Sequence, residues 1–461
     1  MVEGIWTILI TVWAVFTLIL LVARFELGLL LLIPILPTLG YSYRTPIIGL
    51  NTTNLLVYTA FAMGLLRRMG HREKGLPPAT LPFLTFFLIT LFAWLLGYLN
   101  FRSEGYETFR WLKNIERWVL YTLLYFAYYF GWSGKIRPII AFRWLFVGVM
   151  MVEGSSLMEI VHPSRYYVAS GRAGGFFQQA NSTGIFLASY GLLSIALMSL
   201  SRSVFTKIFY LGCFGLCIAG IAISASRASF VSLVAASLVY AFYASRRMFA
   251  LLLIGFIVVV PAYRIFLPKV VSERIERTFA GSKYEGVAGK FEGSAANRIV
   301  QNIAVLKAFE ESPILGHGLG GFYYRSPRWL PPTHLRVARA AHSTFVWALA
   351  ETGAVGLVAL VWFLGSVALE GLRLYQNSDI QEERLMGLFL LTSMIAKSIA
   401  NFFNTEFLTG DVSAYLWVSA GLVAWMNLQR KAHAAAEARQ TIKSTWRPQA
   451  RAPARSAAHR G

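Results

Sequence analysis

Three arginines and one histidine, Arg172, Arg227, Arg298 and His342, are the residues of this chain that could carry out chemistry together. An arginine guanidinium binds a phosphate through two parallel hydrogen bonds and stays charged at any working pH. A histidine can take up a proton near neutral pH. Two or three arginines with one histidine therefore suit a reaction that has a pyrophosphate leaving group and a hydroxyl nucleophile.

Each of these residues also has a structural explanation. Arg227 lies in Ile-Ser-Ala-Ser-Arg-Ala-Ser-Phe between two apolar runs, so its guanidinium must reach a membrane surface or find an anion. Arginines at the ends of apolar runs commonly extend to lipid headgroups, which would account for Arg172. Arg298 could be a solvated helix residue, and His342 could border a membrane interface. His317, between two glycines, competes with His342 as a base.

The remaining motifs give weaker signals. Segment 316–321 is rich in glycine, but no strand precedes it and no Gly-Lys-Ser/Thr follows, so we interpret it as a turn. Glu351, inside an apolar run, could cap a helix break or line a polar cavity. Cys213 and Cys217 are one helical turn apart and fit helix packing. The sequence shows no His/Cys metal spacing, so we expect no metal and no cofactor.

The elements that must position these residues are long apolar segments. The chain has 461 residues, of which 56% are hydrophobic and only 14% charged. A span of a bilayer needs roughly 20 apolar residues, and runs of about this length recur along the chain. The sequence therefore predicts an all-α integral membrane protein with about 12 or 13 transmembrane helices. The candidate spans are 4–23, 26–41, 50–66, 79–100, 118–133, 137–152, 183–200, 205–223, 228–244, 248–266, 343–369, 385–403 and 413–428.

The distribution of basic residues predicts the topology. The net charge is +21, which in a soluble protein would suggest nucleic acid, but here much of it lies in short loops and a tail. Segment 67–74 is the most basic short loop and should be cytoplasmic. Because successive spans cross the membrane in opposite directions, four further basic segments and the tail fall on the cytoplasmic side as well. Segment 102–117 disagrees, because it carries four basic residues on the outer side. We therefore expect membrane lipids but no nucleic acid as partners.

This topology divides the chain into four parts. They are an N-terminal transmembrane bundle (1–266), an outer loop (267–341), C-terminal transmembrane helices (342–428) and a basic cytoplasmic tail expected to be disordered (429–461). In the loop, 296–311 is predicted to be an amphipathic helix with its apolar residues Ile299, Ile303, Leu306 and Phe309 on one side. Ser312-Pro313 should end that helix. All four chemistry-bearing residues fall on the outer side, which is why we infer a shared site.

Two motifs before the loop resemble those of a known family, the O-antigen ligase/polymerase superfamily. Gly171-Arg-Ala-Gly-Gly-Phe-Phe-Gln-Gln-Ala-Asn181 resembles the family's Arg-x-x-Gly-Phe…Asn segment before a span. Ser224-Ala-Ser-Arg227-Ala-Ser resembles its Ser-x-Ser-Arg turn.

Two further motifs follow in the family's order. Arg298 and then Ser312-Pro-Ile-Leu-Gly-His-Gly-Leu-Gly-Gly resemble the family's loop helix and Pro-x-x-Gly-x-Gly turn. His342-Ser-Thr-Phe followed by Glu351-Thr-Gly resembles its His-Asn/Ser…Glu-x-Gly signature, with Ser343 in place of the commoner Asn. The resemblance covers about 170–355, and the order and spacing of the four parts make it specific.

The resemblance implies a metal-independent membrane glycosyltransferase in the bacterial inner membrane. Such an enzyme takes a glycan from undecaprenyl diphosphate on the periplasmic side and gives it to an acceptor glycan or glycolipid. On this basis Arg227, Arg298 and Arg172 would bind the diphosphate, His342 would activate the acceptor hydroxyl, and Asn181 and Glu351 would support them. Polymerase and ligase both remain open. The alternative is a transporter or flippase of an anionic solute or lipid-linked glycan.

Overall fold

The computed structural model describes residues 2–41, 51–70, 75–259, 272–273, 276–282, 288–330, 342–407 and 410–445. Within these ranges every regular element is a helix and no strand is present, which confirms the predicted all-α class. Large apolar side chains such as Ile8, Phe205 and Leu251 are exposed on the outer faces of several helices. A surface of this kind suits contact with lipid.

The described residues form a series of α-helices. Among the described residues, the α-helices of at least six residues are, in chain order, α1 Val2–Ala23, α2 Phe25–Ile35, α3 Thr52–Gly70, α4 Thr80–Phe101, α5 Thr108–Gly131, α6 Pro138–Val161, α7 Arg165–Ser170, α8 Ala180–Tyr190, α9 Leu192–Leu200, α10 Val204–Ser224, α11 Arg227–Ala244, α12 Arg246–Val259, α13 Gly293–Glu311, α14 Gly321–Trp329, α15 Thr344–Asn377, α16 Gln381–Asn401 and α17 Gly410–Thr445. Every predicted span overlaps at least one of them.

Six helical segments in the described ranges are long and apolar enough to cross a membrane. They are Thr80–Glu104, Pro138–Val161, Ala180–Leu200, Val204–Ser224, Arg227–Ala244 and Thr344–Asn377. Thr7–Ala23 and Phe25–Leu39 are shorter apolar helices. The chain is therefore a multi-pass membrane protein, and the count of 12 or 13 crossings remains a prediction.

Close helix packing brings α15 and α16 together. A Cβ on Gly371 would lie 2.7 Å from the carbonyl oxygen of Gly387, and a Cβ on Gly387 would lie 2.5 Å from that of Gly371. Only glycine permits this backbone contact, which is typical of helix pairs in membranes.

One end of this bundle carries basic residues. Arg137 precedes α6, and its Nη2 lies 2.8 Å from an oxygen of Glu382 at the start of α16. α15 begins just after His342 and reaches Arg373 in its last two turns. Arg137, Glu382 and Arg373 therefore lie toward the end of the bundle that is opposite His342.

The long helix α15 is broken at Gly353, whose φ of 66° and ψ of −166° are not helical. The glycine-rich turn that follows α13 docks on this break. The N–H of His317 donates to the carbonyl oxygen of Ala350 at 3.0 Å, and that of Ala354 donates to Pro313 at 2.9 Å. The turn is thus attached to α15 two helical turns beyond His342.

The loop helix differs from the sequence prediction in its start and in its buried face. α13 begins at Gly293, so Arg298 lies in its second turn. Ile303 and Leu306, predicted on the apolar face, are 45% and 56% exposed. The buried face is mostly alanine and consists of Ala296, Gln301, Ala304, Val305 and Ala308. The alanines let α13 approach its neighbours closely.

The tail also differs from the expectation that residues 429–461 are disordered. α17 continues to Thr445, and the residues from Lys431 to Gln440 are exposed. The segment is rich in Ala, Glu, Gln, Arg and Lys, which have high helix propensity and extend the helix beyond the predicted end of the span. Residues 446–461 lie outside the described residues.

Candidate active site

The serine-rich turn between α10 and α11 sets the position of Arg227. α10 ends at Ser224, and Ala225 has a φ of 47°, in the left-handed region that alanine rarely adopts. Ser226 is extended, and α11 begins with Arg227 itself. The turn therefore places Arg227 at a helix N-terminus and reverses the chain within two residues. A strained backbone of this kind often marks a functional site.

The Arg227 guanidinium is held by two partners from the segment between α12 and α13. Nη1 donates to the hydroxyl of Thr278, and Nη2 donates to the carboxylate of Glu292. Glu292 immediately precedes α13, and its N–H donates to the carbonyl oxygen of Thr278 at 2.9 Å. Arg227 is therefore linked to the start of the helix that carries Arg298.

Arg172 lies on the other side of the same turn. Its Nε donates to the carbonyl oxygen of Ser224 at 2.8 Å, and its Nη2 donates to Oδ1 of Asn181 at 2.8 Å. Asn181 is the second residue of α8. The predicted supporting role of Asn181 thus corresponds to a direct contact that orients the Arg172 guanidinium.

The segment that carries Arg172 is fixed against α6. The N–H of Gly174 donates to a Glu159 carboxylate oxygen at 2.7 Å, and the N–H of Phe176 donates to the Ser155 hydroxyl at 3.1 Å. A Cβ on Gly175 would lie 2.8 Å from that hydroxyl oxygen. Gly175 therefore permits the close approach of this segment to α6.

His342 is positioned by the two residues that follow it. The Ser343 hydroxyl accepts a hydrogen bond from the N–H of Val346 at 3.3 Å and so caps α15. Thr344 donates from its N–H to Asn404 at 3.1 Å and from its hydroxyl to Oδ1 of Asn401 at 2.6 Å. Ser343 thus serves as the N-cap of α15.

The pKa of His342 is lowered from its ordinary value of 6.5. The residue is exposed, yet nearby protein withdraws part of the ring from water, and this desolvation is the larger cause. The positive charge of Arg298 is the second cause. The imidazole is therefore neutral at neutral pH and can accept a proton.

Glu351 lies against the glycine-rich turn. It is buried in α15 just before the break at Gly353, and its carboxyl group lies against the backbone N–H groups of Gly320, Gly321 and Phe322. These groups are at the start of α14, where a carboxylate is favourable. Of the two interpretations of Glu351, the structure fits a cap on the helix break and the neighbouring turn.

His317, the competing histidine, is part of the same turn and is buried. Its Nε2 lies 2.7 Å from the carbonyl oxygen of Ala308, and its Nδ1 lies 3.1 Å from Nη1 of Arg325. The carbonyl requires a donor at Nε2, and the guanidinium requires an acceptor at Nδ1. The imidazole ring therefore carries one proton and is held neutral. Burial also lowers the pKa of His317. Its position supports a structural role.

Sequence reasoning missed Glu292, Thr278 and Glu406. Glu406 is buried and accepts a hydrogen bond from the Ser182 hydroxyl at 3.0 Å, which attaches the connection after α16 to the start of α8. The available signal for Glu406 was a carboxylate in the short connection between two apolar spans. The sequence also offered an indication of Glu292, because an acidic residue often precedes the start of a helix.

The structure brings the predicted residues together through a chain of contacts. Arg172 contacts the turn that begins α11, Arg227 contacts Glu292 before α13, and Arg298 in α13 acts on His342 before α15. In the described ranges, no group of three or more His, Cys, Asp and Glu side chains could hold a metal ion. The arrangement offers fixed cations and a neutral base at one end of the helices.

Residues 212–361 match a family model described as O-antigen ligase. The matched segment runs from α10 into α15 and contains Arg227, Arg298 and His342, whereas Arg172 and Asn181 precede it. No significant match was found among curated proteins.

Proposed function

We propose, from the match of residues 212–361 to the O-antigen ligase family model, that the chain is a membrane glycosyltransferase acting in surface polysaccharide synthesis. It transfers a glycan from undecaprenyl diphosphate to an acceptor hydroxyl. The observation that carries the proposal is the convergence of Arg172, Arg227, Arg298 and His342, from separate segments, at one end of the helices.

In the proposed reaction, the arginines bind and stabilise the leaving group. The acceptor oxygen forms a bond to the anomeric carbon, while the bond from that carbon to the diphosphate breaks and its electron pair leaves with undecaprenyl diphosphate. Arg227 and Arg298 hold the diphosphate, and Arg172 adds a third positive charge. Fixed guanidinium groups stabilise the developing charge without a metal ion, because they need little reorganisation.

His342 accepts the proton that the acceptor hydroxyl loses. A general base must be unprotonated and accessible, and His342 is exposed with a pKa lowered by desolvation and by Arg298. Diphosphate bound at Arg298 would offset that charge and favour the imidazolium that forms during transfer.

We place this site on the periplasmic side of the inner membrane, with the C-terminus in the cytoplasm. Support comes from Arg137 and Arg373, which lie toward the opposite end of the helices from His342. Basic residues concentrate on the cytoplasmic side of membrane proteins. The contact between Arg137 and Glu382 also joins α6 and α16 at that end.

Reconstituted transfer tests the proposal. Purified protein in liposomes is supplied with lipid-linked oligosaccharide isolated from producing cells, and with either lipid A-core or more lipid-linked repeat as acceptor. New glycan attached to lipid A-core identifies a ligase, and longer lipid-linked chains identify a polymerase. Movement of intact donor across the bilayer without any new glycosidic bond would instead identify a flippase. A chelator is added in parallel, and full activity in its presence is expected.

A further inference from the structure

Gln301, in the middle of α13, has an unusual environment. It is 1% exposed, and in the described part of the chain neither its Oε1 nor its Nε2 has a hydrogen-bond partner. A carboxamide can donate two hydrogen bonds and accept two. Buried polar groups in native proteins nearly always have partners, so an unpartnered amide requires an explanation.

The packing of α13 against α15 shows where this amide lies. The His317 ring contacts the Ala308 carbonyl, and its N–H bonds to the Ala350 carbonyl, so Ala308 and Ala350 lie at the same level. Arg298 lies close enough to His342 to lower its pKa. From Arg298 to Ala308 is roughly 15 Å of helix, and from His342 to Ala350 is roughly 12 Å.

The two helices therefore run side by side in the same direction. Gln301 is three residues beyond Arg298, on the face that buries Ala304, Val305 and Ala308. Residues three apart on a helix have Cβ atoms about 5–6 Å from one another. Gln301 is thus the next polar side chain of α13 after Arg298, near the level of His342.

We propose that Gln301 binds the sugar attached directly to the donor diphosphate, with its amide hydrogen-bonded to polar groups of that sugar. This inference rests on the proposed function and adds a specificity-determining residue to it. With the diphosphate on Arg298, the first sugar lies about one helical turn away. A neutral amide that both donates and accepts suits hydroxyl or acetamido groups, which also do both.

The test uses binding rather than transfer, so that it is separable from the enzymatic proposal. Two probes are titrated into the full-length protein in detergent: undecaprenyl-diphosphate-linked oligosaccharide from producing cells, and undecaprenyl diphosphate without sugar. The variants are Gln301→Leu, which keeps the side-chain size but removes the polar atoms, and Arg298→Ala. Asn302→Leu is the matched control, because Asn302 is the exposed neighbour on the same helix.

Gln301→Leu should weaken binding of the glycan-bearing lipid by about tenfold and leave binding of the sugar-free lipid unchanged. Arg298→Ala should weaken both, and Asn302→Leu neither. The thermal midpoint of Gln301→Leu should equal or exceed that of the parent, because an unpartnered buried amide is removed. Equal affinity of Gln301→Leu and parent for the glycan-bearing lipid, or equal weakening for both lipids, would overturn the proposal.

The two proposals can fail separately. If the parent protein binds both lipids with the predicted Gln301 dependence but forms no glycosidic bond with any acceptor, the glycosyltransferase proposal fails and the sugar site stands. If transfer occurs and Gln301→Leu binds the glycan-bearing lipid as the parent does, the sugar site fails and the glycosyltransferase proposal stands.

Discussion

The Nε of Arg172 donates a hydrogen bond to the carbonyl oxygen of Ser224 at 2.8 Å. Ser224 ends α10, and three residues later Arg227 begins α11. One arginine therefore fixes the turn that positions the other, and a second Arg172 contact fixes Asn181. Removal of Arg172 should consequently disturb both the charge of the site and the geometry of Arg227.

The substitution Arg227→Lys keeps the positive charge but removes the guanidinium, which donates hydrogen bonds from two separate nitrogens. A lysine cannot reproduce the planar guanidinium that reaches Thr278 and Glu292 with separate nitrogens. Charge-assisted hydrogen bonds are worth about 1.5–3 kcal/mol, so transfer should fall by roughly 10- to 100-fold at normal protein level. Arg165→Lys, at an exposed arginine at the start of α7, should be silent. Full activity of Arg227→Lys would favour a lipid-headgroup role.

Sidedness is checked by cysteine labelling in a variant without the two buried native cysteines, Cys213 and Cys217. Cysteines introduced at Ser170 and Ser282 should react with an impermeant thiol reagent added from the periplasm. A cysteine at Ala436, exposed on α17, should react only after the membrane is opened. The reverse pattern would place the arginines on the cytoplasmic side, away from the proposed acceptor.

The acid limb of the pH–rate profile should report His342. Its pKa is lowered below 6.5, so kcat/KM should decline as pH falls and the ring becomes protonated, and the midpoint of that decline should lie below pH 6.5. Arg298→Ala removes a repelling positive charge, so the pKa should rise and the limb should move to higher pH. Carbethoxylation of His342, followed by peptide mass spectrometry at each pH, measures the neutral fraction without relying on activity. An unchanged midpoint in Arg298→Ala would show that the two residues do not interact.

Gly353→Ala tests the docking of the glycine-rich turn. Gly353 has a φ of 66°, and a Cβ there would lie 2.2 Å from the carbonyl oxygen of Ile314. Such backbone conformations cost a non-glycine residue about 1–3 kcal/mol, and the clash adds to this, so the thermal midpoint should fall clearly. Gly365→Ala, in open space on the same helix, should leave it unchanged or raise it. Equal midpoints for the two variants would contradict the described break.

The positions of the chemical residues could be predicted from the sequence to a useful degree. Arg227 between two apolar runs indicates a helix start at a membrane surface, and the structure has a helix that begins there. The contact of Arg227 with Glu292 could not be predicted, because 65 residues separate them along the chain.

The sequence predicted the wrong buried face for α13, and the reason is physical. In a soluble protein the apolar stripe Ile303–Leu306 would face the core. Next to a membrane domain, small residues such as Ala304 and Ala308 pack against neighbouring helices and large apolar ones can stay outside. Gln301 was overlooked because it interrupts the alanine face, which the hydrophobic pattern does not mark.

The most direct measurement of the central claim is the turnover of His342→Ala in reconstituted transfer from lipid-linked oligosaccharide. General-base catalysis typically contributes about 10²–10⁴-fold, so turnover should fall by a factor in that range while donor binding stays unchanged. His162→Ala, at an exposed histidine that follows α6, is the control and should keep full turnover. If His342→Ala transfers glycan as fast as the parent protein, His342 is not the base and the account is contradicted.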